Sequence, residues 1–170
     1  IQLWVNLPAR DKMSTPGYQL LKAESFPDVE LGSAQARLIA GALGGAQGPA
    51  HTHTAMTIFD LEFSENGKVE FELDQGTTTL LVMLRGDAQV QAGQDLAAGQ
   101  LVVFDRNTQG AIRLAASEGA RALVLNGQPL HEPVVARGPF VMNTKEEIVE
   151  AMRDYRQGKM GRLQPQERSG

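Results

Sequence analysis

The sequence predicts an all-β fold of short antiparallel strands, a barrel or sandwich, closed by one C-terminal α-helix. Turn-forming residues recur at short intervals, from Pro8, Gly17 and Pro27 through Gly86, Gly93 and Gly99 to Gly119 and Gly127. Between them lie short runs rich in Val, Ile, Leu and Phe. Only one stretch, late in the chain, carries apolar residues at helical spacing.

The clearest strands alternate. Thr57 to Phe63 puts Thr57, Phe59, Leu61 and Phe63 on one face, and Lys68 to Leu73 puts Val69, Phe71 and Leu73 on one face with charges opposite. Asn66-Gly67 stands between them, a pair that tolerates positive φ, so the two runs read as a hairpin. Thr79 to Leu84, Leu101 to Phe104 and Ala120 to Leu125 are more continuously apolar and suit strands buried on both faces, or segments of a barrel wall. The opening Ile1-Gln2-Leu3-Trp4-Val5 reads as a strand and, lacking an initiator Met, as the continuation of a longer polypeptide. Thr144-Lys145-Glu146-Glu147 fits a capping box and opens a helix at about 145–157 with Ile148, Met152 and Tyr155 on one face and Gly158 as its stop. The polar tail after Gly161 is expected to fray. The expected organisation is a β-barrel over residues 1–142, with the helix and tail, 143–170, packed on it.

Composition narrows the function classes. The 170 residues suit one domain, and 42% hydrophobic with 21% charged residues is ordinary for a chain with a core. Aromatics are only 5%, so that core is aliphatic. The net charge of −4, without a basic block, argues against direct contact with nucleic acid. The absence of cysteine excludes disulfides, thiolate metal sites and Cys nucleophiles. No apolar run reaches the roughly 20 residues of a membrane span, and no signal peptide is visible, so a cytoplasmic address is expected.

His51-Thr52-His53 is the one local constellation with an evident chemical reading. On a strand, residues two apart face the same way, and imidazole suits Fe, Ni, Cu or Zn. Gly45, then five residues, then His-x-His also matches the opening of the first cupin motif. The match then fails: where that motif expects Glu, Thr57 or Ile58 stands, and Glu62 comes too late. The second cupin motif survives as Gly93 and Leu96 to Phe104, a turn feeding an apolar strand, but its histidine position falls near Val102. His131 lies far downstream, between Pro129 and Pro133. Two ligands make a weak site. The glycine cluster Gly41 to Gly48 opens no helix and reads as a turn, not a phosphate loop. Glu62, Glu70 and Glu72 read as a solvated strand face, and Trp4 as a core or interface anchor.

Both ends of the chain resemble the pirin family. At the start the resemblance rests on Gln2 to Ala9 followed by Asp11-Lys12-Met13. Near the end it rests on Pro129-Leu130-His131-Glu132-Pro133, on Gly138 to Thr144, and on Glu146-Glu147-Ile148, Asp154-Tyr155, Gly158 and Gly161. Pirins are bicupins, two barrels packed face to face with a C-terminal helix, and the resemblance covers their C-terminal domain. It implies a cupin-type (double-stranded β-helix, or jelly-roll) barrel. It further implies that iron or another divalent transition metal sits in an N-terminal barrel, and that no position here inherits a ligand, catalytic or cofactor role. The implied partners are that N-terminal barrel and a regulatory protein. The activities it implies for a whole protein are quercetin 2,3-dioxygenase-like chemistry or regulation of partner proteins, including metabolic enzyme complexes.

Three functions remain open at this point: a non-catalytic structural and interaction domain, a metal-dependent dioxygenase using His51 and His53 with an atypical third ligand, and a small-molecule- or sugar-binding β-barrel. In the first, Trp4 and its neighbours pack across a domain interface, while Phe140 and Met142 are packing residues.

Overall fold

A computed structural model describes residues 1–91, 93–107 and 110–161. The β-barrel unit comprises residues 21–129, and residues 1–20 with those from 130 onward form a second compact unit. In the barrel unit, β1 is Asp28–Leu31, β2 Ala34–Ala40, β3 Ala42–Leu43, β4 Ala46–Gln47, β5 Met56–Phe63 and β6 Gly67–Phe71. They are followed by β7 Thr78–Arg85, β8 Ala88–Val90, β9 Gln94–Leu96, β10 Leu101–Phe104, β11 Ile112–Ala116 and β12 Arg121–Gly127. A six-stranded sheet runs β1-β2-β5-β12-β7-β10 and a four-stranded sheet runs β6-β11-β8-β9, with every neighbour antiparallel. Two antiparallel sheets around one core match the all-β barrel or sandwich expected from the turn spacing and the jelly roll implied by the resemblance.

Period-two alternation builds that core. Thr57, Phe59, Leu61 and Phe63 of β5 are buried, as are Leu81 and Met83 of β7, Ala122 and Val124 of β12, and Val69 and Phe71 of β6. Phe59 and Phe71, from opposite sheets, meet edge to face with ring centroids 5.2 Å apart. The fully buried residues are mostly aliphatic, as the composition implies.

The hairpin expected across Asn66-Gly67 does not form. β5 pairs with β2 and β12, whereas β6 pairs with β11 in the other sheet, so the segment is a corner between sheets. Neither residue has positive φ. Asn66 Oδ1 instead accepts from the Glu118 amide at 2.7 Å, and a Cβ at position 67 would overlap the Ser33 side chain. The two alternating runs are both strands, but they face each other across the core instead of lying side by side.

Of the two readings open for the continuously apolar runs, the structure matches segments of a barrel wall, buried on one face. In β7 and β12 alternate residues are buried and the others half-buried, and in β10 Leu101 and Val103 are 54% and 58% exposed. The outer face of the six-stranded sheet therefore carries apolar rows, Leu101 beside Val82 and Leu123, and Val103 beside Leu80 and Leu125. Toward the other end of the same strands the outer face is charged: Arg121 forks onto Asp60, and Arg85 pairs with Glu62 at 2.7 Å. Hydrogen bonding to Asp60 raises the Arg121 pKa. A raised value means that the pair's contribution is present at neutral pH and disappears only as pH climbs through the arginine range.

In the second unit, β13 (Val135–Arg137) and β14 (Phe140–Met142) form a hairpin turned at Gly138-Pro139, and α1 (Lys145–Arg156) packs against it. The expected capping box is present: Thr144 Oγ1 accepts from the Glu147 amide at 3.1 Å and Glu147 Oε2 accepts from the Thr144 amide at 2.9 Å. Ile148 and Ala151 are the buried residues of the helix, Met152 is half-buried, and Tyr155 stays exposed with its ring edge to face with Phe140 at 5.9 Å. Ile1–Val5 is not a strand. Its neighbours are held by side chains instead: Lys12 Nζ donates to Asn6 Oδ1 at 2.6 Å and to the Val141 carbonyl at 3.3 Å, and Glu132 Oε2 accepts from the Ala9 amide at 2.7 Å and from Asn143 Nδ2 at 3.0 Å. These bonds join the first residues to those from 130 onward, so the boundary drawn at 142 from the sequence falls inside this unit. The tail after Gly161 lies outside the described residues.

Two outcomes test this packing. Thr144→Ala is expected to lose about 1 kcal/mol of local helix stability, read as faster amide exchange over 145–156. Arg121→Met is expected to cost no more than about 1 kcal/mol in urea unfolding, because the pair is partly solvated.

Candidate functional site

The strand ends that could carry chemistry converge at one end of the β-barrel unit. β6 and β10 finish there, β7 and β11 begin there, and the connection Glu72–Thr77 crosses between the sheets. The mouth they frame holds a cavity of about 370 Å³. Its deepest wall is Thr79 and Ile112, both buried, with half-buried Leu73, Thr77 and Phe104 above them. Glu72, Asp74, Asp105 and Arg106 stand exposed at the rim.

The inward positions near this mouth are unusual for a barrel otherwise filled by aliphatic side chains. Thr57, Thr79 and Asn126 are its buried polar residues, and two of them are bonded to each other. Asn126 Nδ2 donates to Thr79 Oγ1 at 2.8 Å and to Thr77 Oγ1 at 2.5 Å, and the Thr77 hydroxyl in turn reaches the Asp74 carbonyl. Pairing Thr79 with Asn126 and Asn126 with Thr57 across β7, β12 and β5 puts the three on one row of the sheet. Period-two burial turns that row inward. Val102, the position at which the second cupin motif expects histidine, pairs with Leu81 and is packed on the core.

The histidine pair is placed differently from its expectation. His51 and His53 lie in the irregular segment between β4 and β5, both are exposed, and neither lines the mouth cavity. The alternation that would aim two imidazoles at one spot holds only on a strand. Gly41, at φ +76°, sets the path into this segment, since a Cβ there would lie 2.9 Å from Thr57 Cα. His131 belongs to the second unit and is exposed, with φ +54°. Among the described residues no group of three or more His, Cys, Asp or Glu is arranged to hold a metal ion. The donor set therefore does not fit the divalent transition metal of the cupin motif, whose sites use three or four ligands. Glu62 and Glu70 are solvent-facing ion-pair partners of Arg85 and Arg113, and Glu72 is exposed at the rim; all three are solvated as expected, but they share no strand face, since Glu62 and Glu70 belong to different sheets and Glu72 follows the end of β6. Sequence reasoning missed Thr79 and Asn126: a Thr or Asn in an apolar run carries no motif, and only the pairing of β7 with β12 brings them together.

No helix among the described residues is long and apolar enough to cross a membrane. Comparison with known proteins gives the lineage. Residues 58–161 match the sequence profile of the pirin C-terminal cupin domain. A Pseudomonas aeruginosa protein provisionally named quercetin 2,3-dioxygenase is 38% identical over 94% of this chain and 56% of its own length. Human pirin is 30% identical over 95% of this chain and 57% of its own. The crystal structure of a quercetin 2,3-dioxygenase from Acinetobacter baumannii superposes with a TM-score of 0.86 at 38% identity, covering 93% of this chain and 55% of that one. The chain thus spans a little over half the length of these relatives. It belongs to the pirin family, and its β-barrel carries the C-terminal cupin domain of that family.

Proposed function

We propose that this chain is the non-catalytic, interaction-bearing half of a bicupin, and that the reactive metal, iron or another divalent transition ion, is held by an N-terminal barrel of the same protein. The observation that carries this reading is the absence of convergent donors at the barrel mouth among the described residues: Thr57 or Ile58 stands where the motif expects Glu, Val102 where it expects His, and both motif histidines lie outside the mouth. Relatives nearly twice as long leave room for such a second barrel. Exposed apolar surface supplies a means of docking: Leu101 and Val103 on the six-stranded sheet, and Ile1, Trp4 and Val5 at 90%, 69% and 51% exposure in the second unit. Among these, Trp4 is of the residue type enriched at the energetic centres of interfaces. The packing role of Phe140 against Tyr155 belongs to the same reading.

On this reading the whole protein is cytoplasmic and has quercetin 2,3-dioxygenase-like or regulatory activity, the former favoured by the names of its bacterial relatives. A regulatory protein is a further partner. The alternative, a dioxygenase centre built on His51 and His53, lacks a third donor among the described residues.

The test uses the whole protein with quercetin and dioxygen. The double variant His51→Ala/His53→Ala is expected to retain turnover within about twofold of the parent, as surface substitutions usually do. Loss of most turnover with the fold intact would move the centre into this chain. For docking, Trp4→Ala and Val103→Asp are each expected to weaken association of this chain with the separately produced upstream barrel by about tenfold or more, measured calorimetrically. Unchanged affinity in both would remove these surfaces from the interface.

A further inference from the structure

The mouth cavity has a use that metal chemistry does not account for. At about 370 Å³ it lies near the lower end of the roughly 300–1,000 Å³ typical of small-molecule sites. Its polar groups are arranged in depth. Thr79 is 6% exposed and accepts from Asn126, itself 6% exposed, so its oxygen is fixed while its hydroxyl proton has no protein acceptor among the described residues. Both Asn126 amide protons are taken by Thr77 and Thr79, which holds the two threonines in one orientation. A buried donor of this kind is costly to leave without a partner. An oxygen-bearing ligand seated in the mouth would supply that acceptor.

The surroundings select the ligand. Glu72, Asp74 and Asp105 against Arg106 leave the rim with an excess of negative charge, which disfavours phosphates and carboxylates. The same carboxylates are strong acceptors for hydroxyl groups. They do not converge as a cation site. Between rim and floor, Leu73 and Phe104 offer an apolar wall that continues to Ile112 at the floor, and an aromatic face suits the C–H face of a saturated ring. A flat apolar molecule would cover Thr79 without giving it an acceptor. From these features we propose that the barrel mouth binds a small hydroxylated ring without negative charge, of monosaccharide or cyclitol size. This proposal rests on the cavity alone and stands whether or not the partner-barrel reading holds.

The experiment is saturation-transfer NMR and calorimetry on the chain with D-glucose, D-galactose, myo-inositol, D-glucosamine and D-glucuronate as probes. At least one of the first four is expected to bind, and D-glucuronate at least tenfold more weakly than the best of them. Thr79→Val, which keeps the side-chain shape, is expected to weaken the best probe about tenfold. Because that change also removes a partner of Asn126, the exposed Glu72→Gln provides a second reading: it is expected to narrow the preference against D-glucuronate without altering the melting temperature. The proposal is overturned if none of the five probes binds at millimolar concentrations, if D-glucuronate binds as well as the uncharged sugars, or if binding survives both substitutions unchanged.

Discussion

The structure depends on inward-facing, period-two side chains shared between two antiparallel sheets. Phe59 and Phe71 sit at the centre of that arrangement, with Leu38, Leu61, Leu81 and Val124 closing around them. Burial of these residues is the dominant favourable term, and it fixes register, since a slip of one residue would turn each inward set outward. The same constraint decides what a barrel of this type can hold. Any ligand to a central metal must occupy an inward position near the mouth, and here those positions are taken by Thr79, Asn126, Val102 and Phe104.

The jelly roll is shared with the Acinetobacter baumannii enzyme, and a shared fold does not by itself fix an activity. The outer face of the six-stranded sheet is divided along its strands. Its charged end, where Arg121 meets Asp60 and Arg85 meets Glu62, is solvated, while its apolar end presents Leu101 and Val103.

Much of this was legible in the sequence, for reasons that can be named. The turn spacing and the alternation in β5 and β6 gave the all-β class, and Thr144 with Glu147 marked the helix start to the residue, because capping is local chemistry. The motifs at the two ends carried the family, and the structure supplies a physical reason for their residues: Asn6, Lys12, Glu132 and Asn143 bind one another's segments. What failed was non-local. Asn66-Gly67 has hairpin chemistry, but pairing is set by which partners complete the core, so β6 joins β11. Ile1–Val5 has strand composition and no strand to pair with among the described residues. The apolar runs of β7 and β10 left double burial and barrel wall both open, because an apolar outer face has the same composition as an interior one.

The central claim is that this chain lacks the convergent donors for a tightly held transition metal, and metal content tests it most directly. The purified chain, equilibrated with Fe(II), Ni(II), Cu(II) and Zn(II) in turn and then dialysed, is expected to retain far less than one equivalent of any of them. Retention of a full equivalent that disappears in His53→Ala would contradict the account.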